Sequence, residues 1–179
     1  MTCKHMARLI FLVGFMGCGK TTVGETLSEI IGARFIDSDA LVESAEGMDI
    51  PQIFASRGEA YFRTLERRAI AETVKLRRAV IATGGGAVIN PDNVSDMRGN
   101  GFVAWLKADE NFISRHASDG ARPLLAGMDD GQRLKTIRAL LREREPLYRS
   151  ASHFVLDVSA MTPYEVAIAI STEIKRSST

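Results

Sequence analysis

Residues 14–21 read Gly-Phe-Met-Gly-Cys-Gly-Lys-Thr and match the phosphate-binding P-loop pattern, G-x-x-x-x-G-K-[ST]. An apolar, β-branched run at residues 9–13 precedes the loop and predicts a buried parallel strand. Apolar residues recur at helical spacing over residues 21–31 and predict a helix. Strand, glycine loop and helix form the context in which this pattern binds phosphates, so the sequence predicts a magnesium–nucleotide site.

The loop binds phosphate through its backbone as well as through side chains. Its glycines let several N–H groups point inward, and the N-terminus of the following helix adds partial positive charge. Lys20 is predicted to reach the outer phosphates and the Thr21 hydroxyl to bind magnesium. The predicted ATP-binding residues of the loop are Gly17, Cys18, Gly19, Lys20, Thr21 and Thr22.

The N-terminal stretch also allows a second interpretation, as a signal peptide. Lys4 and Arg8 precede an apolar run that ends near Cys18, which is the order of charge and hydropathy in a secretory leader. Glycines interrupt this run, however, and no small-x-small cleavage site precedes Cys18. Removal of the segment would also destroy a complete P-loop, so we favour the nucleotide site.

The composition indicates one globular domain over residues 1–179. Hydrophobic residues make up 45% and charged residues 25% of the chain, which is typical of folded domains. No run approaches the ~18 apolar residues that span a membrane. The net charge of +1 gives no electrostatic case for binding nucleic acid or an anionic membrane. Its two cysteines form no disulfide framework. We therefore expect a cytoplasmic protein, and a monomer because no helix carries a coiled-coil heptad stripe.

Strands and helices alternate along the rest of the chain. Apolar runs predict strands at residues 34–37, 79–83, 102–106 and 154–158. Helical periodicity and capping signals predict helices at residues 40–57, 58–76 and 109–116, at 129–144, and after Asn90 and Thr162. This order predicts an α/β fold with a five-stranded parallel sheet and helices on both faces. Ligands of such folds bind beyond the carboxyl ends of the strands.

Carboxylates and glycines follow the second and third predicted strands. Asp37-Ser38-Asp39 follows the second strand, where a carboxylate could cap the next helix or bind metal and substrate. The third strand ends in Thr83, although many P-loop enzymes have a magnesium-binding Asp there. Asp37 is therefore the nearest candidate metal ligand. Residues 84–86 are three glycines, which favours close approach of the backbone to a ligand.

Arg63 and Glu66 lie three residues apart on a predicted helix and therefore share one of its faces. They could form an ordinary surface ion pair, which contributes little to stability. Alternatively, Glu66 could orient Arg63 so that its guanidinium grips a substrate carboxylate. The spacing of the two residues is compatible with both interpretations.

Taken together, these motifs resemble the shikimate kinases. Six motifs occur in the order of that family: GFMGCGKTT from residue 14, DSD from 37, GEAYFRTLE from 58, TGGG from 83, RPLL from 122 and REPLY from 144. The resemblance implies a P-loop kinase fold with a mobile lid. It also implies transfer of the γ-phosphate of ATP to the 3-hydroxyl of shikimate with magnesium, on the route to chorismate and the aromatic amino acids.

The resemblance implies a role for each matching residue of the nucleotide half. Lys20 contacts the phosphates, while Thr21 and Asp37 hold magnesium. Arg122 is a catalytic residue that closes over the phosphates from a lid at residues 117–127. Two further matches concern the adenine slot, whose walls in some members correspond to Arg115 and Pro163. Pro163 is equally explained as a first-turn proline after Thr162.

The acceptor half is expected to include a shikimate-binding part at residues 37–66. Asp39 matches the residue that holds shikimate hydroxyls and acts as base. Arg63 and Arg144 match the residues that bind the shikimate carboxylate. The pocket lining of the family matches Gly84, Gly85 and Gly86.

Two other functions are compatible with the P-loop. The first is a kinase of another small polyol acid, such as gluconate, on a related fold; Asp39, Arg63 and the glycines at 84–86 argue against it. The second is a nucleotide-binding regulator that phosphorylates no substrate. It would bind ATP and release no ADP in the presence of shikimate.

Overall fold

The fold is built on a five-stranded sheet in which every strand pairing is parallel. The structure is a computed structural model and describes residues 9–116, 125 and 127–177. Arg122 and most of the predicted lid at 117–127 lie outside these described residues. The strand order is β2-β3-β1-β4-β5. The strands are β1 (Leu9–Val13), β2 (Arg34–Asp37), β3 (Ala79–Ala82), β4 (Phe102–Lys107) and β5 (Phe154–Asp157).

The central strand, β1, is buried along its whole length because it is apolar on both faces. It pairs with β3 on one side, where Leu12 lies opposite Ala82, and with β4 on the other, where Val13 lies opposite Trp105. The chain passes from one side of β1 to the other between β3 and β4. The carboxyl end of β1 is therefore the point at which ligands bind in such sheets.

Helices connect these strands. Within the described residues they are α1 (Lys20–Ile31), α2 (Ser38–Glu46), α3 (Ile50–Thr73), α4 (Pro91–Asn100), α5 (Glu110–His116), α6 (Asp130–Ala151) and α7 (Pro163–Arg176). A short 3-10 helix at Ala87–Ile89 follows the glycines after β3. None of the helices described is long and apolar enough to cross a bilayer.

Two hydrophobic layers cover the sheet. One packs α1 and α7 against it, with Leu27 and Ile170 fully buried. The other packs α3, α4 and the end of α6 on the opposite face through Ile70, Met97 and Tyr148. Burial of this apolar area is the main force that holds the layers together. The predicted α/β fold with helices on both faces is confirmed.

The predicted helix at residues 40–57 was wrong in its extent, because the chain turns between α2 and α3. Gly47 ends α2 in the left-handed conformation, with φ of 67°. Asp49 then caps α3 in a capping box with Gln52. α3 runs on through the predicted boundary at residue 58, but Gly58 kinks it with φ of 80° and ψ of 171°.

The sixth helix is longer than predicted. Residues 129–144 were expected to form it, yet α6 continues through Pro146 to Ala151. A proline inside a helix removes one hydrogen bond and costs about 3 kcal/mol. Burial of Tyr148 and Ala151 against the sheet offsets this cost, since their side chains are 1% and 0% exposed.

Candidate active site

The P-loop connects β1 to α1 at the carboxyl end of the sheet. Gly14 opens it with φ of 148°. A side chain at this position would place its Cβ 2.6 Å from the carbonyl oxygen of Leu106 and 2.9 Å from Sγ of Cys18. Only glycine therefore lets the loop turn so close to the end of β4.

Lys20 lies inside this loop at the first position of α1. Its ammonium Nζ donates hydrogen bonds to the carbonyl oxygens of Gly14 at 2.8 Å and Phe15 at 2.9 Å. These two contacts hold the charge at the centre of the loop, where the helix N-terminus adds its own positive potential. The loop is thus built to bind anionic phosphate oxygens.

Asp37 caps α2 and also contacts the P-loop. Its Oδ1 caps α2 by accepting from the backbone N–H of Asp39 at 2.9 Å. Its Oδ2 accepts from the Thr21 hydroxyl at 2.9 Å, so one carboxylate joins the end of β2 to the P-loop. A helix cap and a metal ligand are therefore compatible here.

The oxygen pair of Thr21 and Asp37 fits magnesium. Mg²⁺ prefers oxygen ligands, and in phosphoryl-transfer sites it usually takes one or two from the protein while phosphates and water supply the rest. Among the described residues, no group of three or more His, Cys, Asp or Glu side chains could hold a metal without such help.

Asp39 and Glu66 converge beside Gly84. A Cβ on Gly84 would lie 2.6 Å from Asp39 Oδ1 and 2.7 Å from Glu66 Oε1. Both of these oxygens are buried and have no hydrogen-bond partner among the described residues. Burial raises the pKa of Asp39 to about 7, helped by the negative charges of Asp37 and Glu66 and opposed by Lys20. The Asp39 carboxylate is therefore poised to accept a proton near neutral pH.

Glu66 is a buried carboxylate held by Arg63. Only 1% of it is exposed, and burial raises its pKa although the Arg63 guanidinium opposes the rise. Arg63 Nη1 donates to Glu66 Oε2 at 2.9 Å, while its Nη2 and Nε donate to Glu59 Oε1 at 2.8 and 3.2 Å. A guanidinium has five N–H donors, so two remain for a ligand. The pair is thus more than a surface ion pair.

The three glycines after β3 lie in crowded surroundings. Besides the contacts at Gly84, a Cβ on Gly85 would lie 3.1 Å from the backbone nitrogen of Met16, and one on Gly86 would lie 2.2 Å from Nη1 of Arg63. The sequence predicted close approach of a ligand to this backbone. The atoms that crowd it are the protein's own P-loop backbone and the side chains predicted to bind substrate.

Arg144 and Tyr148 reach the same region from α6. Arg144 is 4% exposed, and its guanidinium lies 5.9 Å from the ring centroid of Phe15. The Tyr148 hydroxyl donates to the carbonyl oxygen of Gly85 at 2.5 Å, and its ring stacks on Trp105 with centroids 5.6 Å apart. The sequence assigned no role to Tyr148, although its position one helical turn after Arg144 was a signal.

A single cavity of about 620 Å³ joins these groups. Its lining includes the P-loop, Asp37, Asp39, Arg63, Glu66, the three glycines and Arg144. An apolar wall of this cavity was missed in the sequence; it consists of Ile50, Pro51, Phe54 and Phe62. The aromatic residues Phe54 and Phe62, on either side of Gly58, were the sequence feature that could have indicated this wall. Their contact depends on the kink at Gly58, which the sequence pattern does not predict.

Two predicted adenine residues lie apart from this cavity. Arg115 is exposed on α5, and Pro163 is exposed in the first turn of α7 after the Thr162 cap. Neither belongs to the cavity lining. The elements that carry them are joined, because the Asp109 backbone N–H before α5 donates to the Ser159 hydroxyl at 3.0 Å. Their role in nucleotide binding stays a prediction.

Comparison with known proteins gives concordant matches. The sequence profile of a family described as shikimate kinase matches residues 16–175. A shikimate kinase of Caldanaerobacter subterraneus subsp. tengcongensis is 48% identical over 159 residues, which cover 88% of this chain and 91% of that protein.

Solved structures agree with the sequence matches. The shikimate kinase of Acinetobacter baumannii, solved in complex with shikimate, superposes with a TM-score of 0.90 at 35% identity, and the match covers 95% of this chain and 94% of that one. A gluconokinase from Sinorhizobium meliloti gives a TM-score of 0.60 at 18% identity, over 98% of this chain and 95% of that one. The latter shares the fold alone.

Proposed function

This chain belongs to the shikimate kinase family and is an ATP-dependent kinase. We propose how its residues transfer the γ-phosphate of ATP to the 3-hydroxyl of shikimate. One observation carries the proposal. The P-loop, with Lys20 and Thr21, shares a cavity of about 620 Å³ with Asp39 and Arg63. A phosphate site and a site for a hydroxy acid are thus adjacent, as phosphoryl transfer between them requires.

The nucleotide half supplies positive charge. Lys20, already centred in the loop by two carbonyl oxygens, would turn its ammonium to the β- and γ-phosphates. Thr21 and Asp37 would hold magnesium with the phosphates, and the ion would neutralise charge on the transferred group. The loop residues Gly17, Cys18, Gly19 and Thr22 would bind through backbone N–H groups and the α1 N-terminus.

The acceptor half supplies the base and the orientation. Asp39 would accept a hydrogen bond from the attacking hydroxyl at its unpartnered Oδ1, and would take the proton as the bond to phosphorus forms. A pKa of about 7 suits this role, because about half of the molecules carry the ionised carboxylate at neutral pH and it is basic enough to hold the proton.

Two arginines would bind the substrate carboxylate. Arg63 has two N–H donors left after its contacts with Glu59 and Glu66. Arg144 is buried in the cavity wall, and its Nε has no partner among the described residues. Clamping the carboxylate at this end would aim the far hydroxyl at the γ-phosphate. Gly84, Gly85 and Gly86 would contact the shikimate ring between its carboxylate and its reacting hydroxyl.

Three further assignments complete the proposal. Arg122, on the proposed lid at 117–127, would add positive charge to the transition state and help to exclude water. Arg115 and Pro163 would enclose the adenine. The protein is proposed to act as a monomer; light scattering coupled to size-exclusion chromatography tests this.

A coupled ADP-release assay tests the function. Purified protein with Mg-ATP is expected to release ADP with shikimate and not with gluconate, and omission of magnesium should abolish turnover. Turnover of gluconate without turnover of shikimate would establish the alternative kinase. ATP binding with no ADP release on any sugar acid would establish a regulator instead. The variant Asp39→Asn is the matched control, because it should bind both substrates and turn over slowly.

A further inference from the structure

We propose that Gly58 determines substrate specificity, because its backbone conformation folds α3 so that an apolar wall lines the same cavity as Arg63. The inference rests on the proposed function and deepens it. Gly58 is not among the residues that line the cavity. It acts by positioning the residues of the apolar wall.

The conformation of Gly58 is one that other residues avoid. Its φ of 80° and ψ of 171° interrupt α3, which is otherwise a helix from Ile50 to Thr73. This region of backbone space is essentially restricted to glycine. A Cβ at Gly58 would meet no atom within 4 Å. The requirement for glycine is therefore conformational and not one of space.

The kink brings together residues that a straight helix keeps apart. Phe54 and Phe62 have ring centroids 4.9 Å apart and planes tilted by 42°. Eight residues of a straight helix rise by about 12 Å along its axis. The first turns of α3 are therefore folded back onto the later ones. Ile53 and Phe62, on opposite sides of Gly58, are 0% and 5% exposed and share one hydrophobic cluster with Leu65.

This folding builds the apolar wall beside the proposed carboxylate clamp. Ile50, Pro51 and Phe54, before the kink, line the same cavity as Arg63, after it. The Arg63 guanidinium lies 5.4 Å from the Phe62 ring centroid, so the wall and the clamp meet at consecutive residues. The kink at Gly58 thus fixes where the residues before it lie relative to the clamp.

The chemistry of this space favours one class of acid. A carboxylic acid on a compact ring can place its carboxylate on Arg63 and an apolar ring edge on the wall. An open-chain polyol acid would press hydroxyls against the wall, where they lose hydrogen bonds to water without replacement. The kink therefore selects for a cyclic acid against an open-chain one.

The test compares Gly58→Ala with Gly47→Ala. Gly47 also has positive φ, at 67°, meets no atom within 4 Å of an added Cβ, and lies outside the cavity lining. It is therefore a matched control for loss of a strained glycine in the same part of the chain. We expect Gly58→Ala to raise KM for shikimate by about tenfold or more, the scale of lost pocket contacts. We expect kcat and the Kd for ATP to stay near wild type, and Gly47→Ala to leave all three unchanged.

The outcomes separate cleanly. If Gly58→Ala matches Gly47→Ala in KM for shikimate, the inference is wrong while the proposed function stands. If the wild-type protein does not phosphorylate shikimate, the proposed function fails first. Should Gly58→Ala not fold, Phe54→Ala keeps the kink and removes part of the wall. It is expected to raise KM for shikimate at unchanged Kd for ATP, and an unchanged KM would overturn the proposal.

Discussion

Replacement of Asp39 by Asn should make the protein a poorer enzyme and a more stable fold at alkaline pH. Burial raises the pKa of Asp39 from 3.8 to about 7. The neutral carboxyl is therefore favoured in the folded protein. The contribution of this group to the free energy of unfolding is complete below pH ~4 and is lost as the pH rises through ~7. Asn carries no charge, so the variant does not lose this part of its free energy of unfolding as the pH rises.

The shift sets the size of the effect. About 3 pH units at ~1.4 kcal/mol each give an upper limit of about 4 kcal/mol at pH 8. Asp39 is only partly buried, and solvent screening reduces the expected gain to about 1–3 kcal/mol. For a chain of this size, 1 kcal/mol moves Tm by about 2–4 °C. The Asn amide can also donate to the unpartnered Oε1 of Glu66.

Thermal unfolding from pH 4 to pH 9 checks the prediction. The Tm of the variant should exceed that of wild type at pH 8, and the difference should shrink towards pH 4. Asp157→Asn is the control with opposite sign. Asp157 accepts hydrogen bonds from Ser159, which lower its pKa; its contribution is present at neutral pH and is lost as the pH falls, so its variant should be less stable at pH 8.

Kinetics test the same group independently. Wild-type kcat/KM should fall about tenfold per pH unit below ~7, because protonated Asp39 cannot accept the hydroxyl proton. Asp39→Asn should lower kcat by about 100-fold or more. A Tm difference that does not vary with pH, together with a flat profile between pH 5.5 and 7.5, would refute the raised pKa and the role of base.

Three other substitutions address the remaining contacts. Arg63→Ala should weaken shikimate binding and leave ATP affinity intact; unchanged calorimetric titration with shikimate would contradict the carboxylate clamp. Tyr148→Phe leaves the Gly85 carbonyl oxygen without its partner, and should lower the free energy of unfolding by about 1–3 kcal/mol while raising KM for shikimate. If the variant loses stability while its KM for shikimate is unchanged, Tyr148 has only a structural role. Thr21→Val should raise the magnesium concentration for half-maximal activity without altering magnesium-free ATP binding, and an unaltered magnesium titration would argue against Thr21 as a ligand.

The layout of the candidate site was predictable because it follows from sheet topology. Alternating strands and helices predict a parallel sheet, and parallel strands bring their carboxyl ends to one edge. The P-loop, Asp37 and the glycines at 84–86 each follow a strand, so their convergence required no knowledge of packing. Thr21 and Asp37 are indeed joined by a hydrogen bond of 2.9 Å.

Contacts between distant parts of the chain were not predictable in this way. Tyr148 and Gly85 are joined by a hydrogen bond across 63 positions of sequence. The pattern around Tyr148 indicates a helix and carries no information about what its hydroxyl meets. The helix signal at residues 40–57 failed for a related reason, since periodicity continued across a turn at Gly47 that depends on its backbone conformation.

The sequence by itself determined the fold class, the nucleotide loop and the set of residues at the strand ends. These depend on hydrogen bonding and periodicity between near neighbours in the chain. Only the tertiary structure decided the raised pKa of Asp39, the crowding around the glycines at 84–86, and the contact of Phe54 with Phe62 across Gly58. Burial and charge at a point in space are the sum of groups from many elements, and a local pattern cannot report that sum.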